Sequence, residues 1–209
     1  MNIRKVFSGI RDLNVKGSGR LSFFLARVFL GKPKKALKVR TIYDFKLNID
    51  PVTDSGVERS IYYYGTYEKG TLAMINSILR EGDVFVDIGA NIGLTTCFSG
   101  KGFSKIFCFE PNPQVFRILQ TNVEITFGLD NKVALYNFGL GDSDTELELT
   151  IPKNNYGGAY IKQGNTYSND ILLQKDNITD PSNAYNYIGV SIKNAEEQLG
   201  QLFAGIPIG

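Results

Sequence analysis

Two carboxylates, Asp87 and Glu110, each stand at the end of a short apolar run and directly before residues that turn the chain. In VFVDIGANIG (84–93) the run Val84, Phe85, Val86, Ile88 surrounds Asp87, and Gly89 and Gly93 follow. Glycines here can take positive φ and bare the backbone N–H groups, so a ligand could come closer to the main chain than a Cβ would allow. The spacing is not the GxGxxG of dinucleotide sites, and an acid at a strand tip repels a pyrophosphate. The same acid can hold an ammonium, so the order Asp87-x-Gly89-x-Asn91-x-Gly93 suits S-adenosylmethionine better. A strand-to-helix turn that needs its glycines only for geometry is the competing reading. In KIFCFEPNP (105–113) the second acid, Glu110, could accept hydrogen bonds from both hydroxyls of a ribose, or be a solvated carboxylate at a strand end. If its bonds go to a ligand, truncating Glu110 should leave the stability of the free protein unchanged.

Elements that bring these acids together are legible on either side. The run at Val84, bounded by Gly82, reads as a strand buried on both faces. A helix from about Ile92 to Ser99, a strand Lys105 to Glu110, a helix Gln114 to Phe127 after Pro113, and a strand Lys132 to Phe138 follow. Parallel βαβ connection would lay the first two strands side by side, so Glu110 faces the crevice of Gly89. Leu72, Ile75, Ile78 and Leu79 space a helix over Glu68 to Arg80, with Gly82 as its C′ residue. Val39 to Ile49 predicts antiparallel strands. Residues Tyr62 to Tyr64 would line an aromatic or sugar pocket, or cap a core, and neither reading wins. Beyond the third strand, alternation at Glu146 to Ile151 predicts a half-exposed strand. Asn154 to Gly158 reads as a loop, Ser168 to Tyr187 as an extended, mobile insertion, Ile188 to Ile192 as a strand and Asn194 to Phe203 as a helix.

Three segments, TYEKGTLAMINSILREGD (66–83), VFVDIGANIGLTT (84–96) and IFCFEPNPQVFRILQTNV (106–123), together resemble the FkbM-type family of S-adenosylmethionine-dependent methyltransferases. The likeness runs from about Ile49 to Thr150. It implies a Rossmann-like class I methyltransferase sheet of seven strands, bound S-adenosylmethionine, and O-methylation of a hydroxyl on a sugar, glycan or natural product. Carried over position by position, Asp87, Gly89, Asn91 and Gly93 match the cofactor loop, and Glu110 matches the ribose acid, with Asn112 in the same motif. Tyr67 and Glu68 match a Tyr-Glu pair near the methionine end. By position and resemblance, NFGLGD (137–142), ending in Asp142, would contact the adenine edge, although a glycine-rich turn into the next strand explains it equally well. In the family a segment like VSIKNAEEQLGQLF precedes a strand ending Lys-Ile-Asp-x-Glu-Gly. The resemblance therefore implies a sheet incomplete at the C-terminus, no nameable catalytic base, and a non-catalytic fragment or cofactor-binding module as the alternative. A nucleotide-dependent oxidoreductase is disfavoured by Asp87 and the missing GxGxxG.

The 209 residues contain no histidine, which excludes histidine bases and histidine metal sites. Cys97 and Cys108 fall in a predicted helix and strand, where packing is their expected role, compatible with a reducing, cytoplasmic setting. The net charge of +2 conceals an asymmetry, because residues 1–40 carry eleven Lys or Arg and one acid, Asp12. The division expected is a basic appendage, 1–56, of helices and strands, and an S-adenosylmethionine-binding domain, 57–209. Two amphipathic helices, 2–13 and 20–31, place Val6, Phe7, Ile10 and Leu13, then Leu21, Phe24, Leu25 and Val28, on one side. Docking onto the domain is the simpler reading of that side, and peripheral contact of residues 1–40 with an anionic membrane the other. The partner expected is a small-molecule or glycan acceptor, and no nucleic acid.

Overall fold

The computed structural model describes residues 2–80, 82–100, 102–128, 131–153, 155–161 and 184–204. Its centre is a strand-helix repeat: β3 (Val84–Ile88), α5 (Leu94–Ser99), β4 (Lys105–Phe109), α6 (Pro113–Phe127) and β5 (Val133–Tyr136). The three strands are parallel in the order β3-β4-β5, with Asp87 opposite Cys108 and Cys108 opposite Leu135. This is the expected Rossmann-like α/β unit, and it sets the tips carrying Asp87 and Glu110 side by side. Ile106, Cys108 and Phe109 of the central strand are fully buried. β3 is an edge strand among the described residues; it was expected to be buried on both faces, but its apolar residues are only half-buried and Ile88 is 60% exposed.

Ahead of this unit, α1 (Ile3–Arg11) and α2 (Ser18–Leu30) form a helical hairpin, and β1 (Leu37–Arg40) pairs antiparallel with β2 (Lys46–Ile49). Two further helices follow, α3 (Val57–Tyr64) and α4 (Lys69–Ile78). One buried cluster runs from Phe7 and Ala26 through Leu47, Ile49 and Ile61 to Ile92, Leu94 and Val115. Asn122 fastens the same seam from α6, accepting from the Asn48 N–H at 2.6 Å and donating to the Asn48 and Ile92 carbonyls at 3.1 and 2.7 Å. The tyrosines prove to be core: Tyr62, Tyr63 and Tyr64 are buried, and the Tyr62 hydroxyl donates to the Leu30 carbonyl at 2.6 Å. α4 stops at Ile78, earlier than its apolar spacing suggested, because Ile78 is exposed and the Arg80 N–H turns to the Asp83 carboxylate. Gly82 is therefore not its cap.

A second sheet has the order β6-β9-β7-β8: β6 (Gly139–Gly141), β7 (Thr145–Pro152), β8 (Tyr160–Ile161) and β9 (Tyr185–Asn194). β9 is longer than the strand predicted at Ile188–Ile192, since it pairs with all of β7. The final helix α7 (Ala195–Phe203) is capped by the Asn194 side chain on the Glu197 N–H. Among the described residues the strands thus form three sheets, the β1-β2 pair, the parallel three-stranded β3-β4-β5 and this four-stranded one. Most of the insertion expected at Ser168–Tyr187, and Asn154, lie outside the described residues.

Candidate functional site

Between β3 and α5 the chain reverses direction in five residues, with Gly89, Asn91 and Gly93 all at positive φ (75°, 52° and 85°). Asn is among the few side chains that tolerate this region, so the sequence GANIG suits the turn it makes. The Gly89 and Ala90 N–H groups donate to the Phe109 carbonyl at 2.9 and 3.0 Å, and the Gly93 N–H to Ala90 at 2.9 Å. The Asn91 N–H donates to Glu110 Oε2 at 2.9 Å, and the Ile92 N–H to the Asn91 side chain at 2.7 Å. Every N–H of the turn is thus spent within the protein, and the expectation that they are bared for a ligand does not hold. What remains open is space: a Cβ on Gly89 would meet nothing within 4 Å, whereas one on Gly93 would lie 2.7 Å from Leu119 Cδ1. Gly89 is a platform, and Gly93 a packing glycine.

Two clefts meet at that platform. The first, about 230 Å³, is lined by Tyr67, Glu68, Thr71, Gly89, Asn91 and Thr95 among others, and the second, about 180 Å³, by Gly89, Asn91, Glu110, Asn112, Val115 and Tyr156. Gly157 lies between them and lines both. Its N–H donates to Asp54 Oδ2 at 3.0 Å, and a Cβ there would come within 3.0 Å of both Asn91 Nδ2 and Val57 Cγ2. The 3-10 turn Tyr156–Gly158 is therefore a strap across the crevice, tied down from the N-terminal segment.

The acids differ in what they hold. Asp87 is buried and accepts from the Thr96 hydroxyl at 2.6 Å, so it clamps β3 to α5; burial pushes its carboxyl above the usual range, against the pull of the Thr96 bonds. Glu110 accepts from the Asn91 N–H and, through Oε1, from the Asn112 N–H at 2.9 Å. Burial also raises Glu110, and the two N–H groups oppose that. Each Glu110 oxygen keeps one lone pair for a second donor. Asn112 caps α6 through Oδ1, at 3.0 Å from the Gln114 N–H, yet its Nδ2 is buried without a hydrogen-bond partner. A buried orphan donor of this kind costs roughly 1–3 kcal/mol.

Across the first cleft, Glu68 is exposed in the left-handed region (φ 46°, ψ 53°), uncommon for its type, and burial, followed by the neighbouring Glu68 carboxylate, raises the Tyr67 hydroxyl above its usual range. Glu68, Gly89, Asn91, Glu110 and Asn112 thus surround one crevice, and Asp87 and Gly93 support it from beneath. Asp142 is not brought in: it is exposed, lines neither cleft, and accepts from Ser143 at 3.2 Å. Gly139 and Gly141 lie in strand β6 rather than in a turn, and each leaves room for Ile192, 2.7 Å from where a Cβ would sit. Sequence reasoning missed Thr96, Asn122, Asp54 and Gly157. Asn122, Asp54 and Gly157 lie outside the cofactor-loop motif and act on residues distant in the chain, and Thr96, though within VFVDIGANIGLTT, shows its role only once the turn brings it onto Asp87.

No protein-family model and no curated protein sequence matches the chain. Among solved structures it is similar to Trm5 of Methanocaldococcus jannaschii in complex with adenosine, 20% identical over 51% of this chain and 30% of that one, TM-score 0.39. It is also similar to a precorrin-6y C5,15-methyltransferase from Geobacter metallireducens, 27% identical over 32% of this chain and 36% of that one, TM-score 0.27. A third is aTrm5 in complex with tRNALeu, 11% identical over 77% of this chain and 53% of that one, TM-score 0.40. The chain spans about a third of the first two proteins. The exclusion of nucleic acid made from the sequence is corrected here, since one of these similar structures is a tRNA complex. The exclusion had no charge argument behind it either, because the basic N-terminal segment suits any polyanion.

Proposed function

We propose that the protein binds S-adenosylmethionine along the crevice over Gly89 and transfers its methyl group, as an FkbM-type O-methyltransferase acting on a hydroxyl of a sugar, glycan or natural product. The observation that carries this reading is the second cleft: the buried, unpartnered Asn112 Nδ2 and the spare lone pairs of Glu110 on its wall, beside the open face of Gly89. An adenosine offers matching groups, with hydroxyl donors for Glu110 and ring or ribose acceptors for Asn112. Glu68, with Tyr67, lines the other half of the crevice and would take the ammonium of the amino-acid end. The cofactor supplies an electrophilic methyl on a sulfonium; the chain supplies position, since holding two reacting atoms in attack geometry lowers the barrier substantially. Asp87 and Thr96 keep the platform rigid from below.

The test is a calorimetric titration of the whole chain with S-adenosylhomocysteine and, separately, NADH. Saturable binding of the first and none of the second is expected, followed by transfer of labelled methyl from S-adenosylmethionine to a carbohydrate hydroxyl. Binding of NADH alone would replace this reading with a dinucleotide enzyme, and binding without transfer to any hydroxyl would leave a cofactor-binding module.

A further inference from the structure

α2 has two apolar faces, and the fold uses only one. The face that docks is built from small residues: Ser22 and Ala26 are fully buried, and the Ser22 hydroxyl donates to the Phe7 carbonyl at 2.6 Å. Beside them Phe23 meets the Tyr63 ring edge-on at 5.3 Å. Of the larger residues read from sequence as the docking side, Leu25 packs partly buried against the core, whereas Leu21 is 53% exposed and Phe24 and Val28 are each 63% exposed. Their spacing of three and four residues aligns them as one stripe along the helix. Arg20 and Arg27 flank it, Lys16 lies at one end, and Lys32, Lys34 and Lys35 follow the other, all exposed. Asp12, the lone acid of residues 1–40, is paired with Lys69.

We propose that this stripe is a docking surface for an anionic lipid bilayer, on which α2 lies in the plane of the headgroups with Leu21, Phe24 and Val28 entering the acyl boundary. An apolar stripe rimmed by cations is what such an interface takes up. The helix has 13 residues, and no described helix is long and apolar enough to cross a membrane, so the contact is lateral. A second copy of the chain fits less well, since its own cationic rim would face this one. A nucleic acid would use the cations but not aliphatic Leu21 and Val28.

The test is co-sedimentation of the whole chain with vesicles of phosphatidylcholine containing about a third phosphatidylserine. Retention is expected at about 0.1 M salt, with several-fold release at about 0.5 M. The triple variant Leu21→Ser, Phe24→Ser, Val28→Ser should lower partitioning by about tenfold or more. Its melting curve should not change, because the three side chains are exposed. Should it not fold, Lys32→Glu, Lys34→Glu, Lys35→Glu tests the same surface and should give a comparable loss. Retention unchanged in both variants, equal retention on pure phosphatidylcholine, or a dimer dissolved by the triple variant in place of vesicle binding would each overturn the proposal. So would an RNA bound more tightly than the vesicles and indifferent to the triple variant. Both variants lie outside the crevice, so S-adenosylhomocysteine titration reads the methyltransferase proposal separately.

Discussion

Glu110→Ala is expected to destabilise the protein before any ligand is considered, and the size of the effect follows from two bonds. Each carboxylate oxygen accepts one backbone N–H at 2.9 Å, from Asn91 and from Asn112. Hydrogen bonds to a charged group contribute about 1.5–3 kcal/mol each. Against their sum stands the desolvation that raises the Glu110 carboxyl, which the alanine variant no longer bears, and water entering the second cleft would satisfy part of what is lost. The net loss is about 2–4 kcal/mol, which for a chain of this length lowers the melting temperature by about 4–16 °C. Differential scanning calorimetry of the free variant checks it. The reading drawn from sequence, in which the glutamate serves only a ligand, requires no shift. A change under about 1 °C would show that the carboxylate does not hold the turn, and would return Glu110 to that role alone. S-adenosylhomocysteine affinity should fall in the same variant, by about tenfold or more, from both causes together.

Glu58, buried on α3, has its carboxyl pushed from the ordinary 4.5 to about 7, first by burial and then by Asp54 and Asp50, against the Asp50 N–H. The folded state thus keeps a proton that an unfolded glutamate releases, and stability is lost as pH rises from about 4.5 to about 7. Glu58→Gln should therefore be neutral in urea unfolding below that window and stabilising by about 3 kcal/mol above it; a gain independent of pH would refute the cause. Gly93→Ala should cost about 2 kcal/mol or more, from its positive φ and Leu119, while Gly89→Ala should cost about 1 kcal/mol of strain alone, as read from paired melting curves. Gly157→Ala should weaken S-adenosylhomocysteine binding with little change in melting temperature, since its contacts at 3.0 Å are the far ends of Asn91 and Val57; unchanged affinity would remove the strap from the site.

The parallel unit was legible because each strand is a short apolar run closed by a glycine, proline or acid, and these are local signals. What the acids do was not legible. Asp87 and Glu110 read as ligand groups by type and position, but their partners, Thr96, Asn91 and Asn112, are fixed by a turn whose dihedrals the sequence only permits. The outward stripe of α2 was misassigned for a related reason. Amphipathic spacing finds a face that is apolar, and large residues were expected to be the ones buried. The hairpin instead closes on Ser22 and Ala26, because small residues let α1 and α2 approach. Asp54 was invisible as a site residue, since its bond to Gly157 joins positions 103 residues apart.

That bond changes how the crevice is understood. Each half, at about 230 and 180 Å³, falls below the roughly 300 Å³ at which small-molecule pockets begin, and only the two together exceed it. A ligand that reaches Glu68 at one end and Glu110 at the other must pass Asn91 beneath and Gly157 above. An elongated molecule with a charged amino-acid end and a nucleoside end meets that condition, and a compact one does not. The strap is held from below by a residue of the N-terminal segment, so that segment, through Asp54, helps set the width available to the ligand. Asp54→Ala should therefore loosen the strap and weaken S-adenosylhomocysteine binding in a calorimetric titration, and an unchanged affinity would show that this bond does not set the width of the crevice.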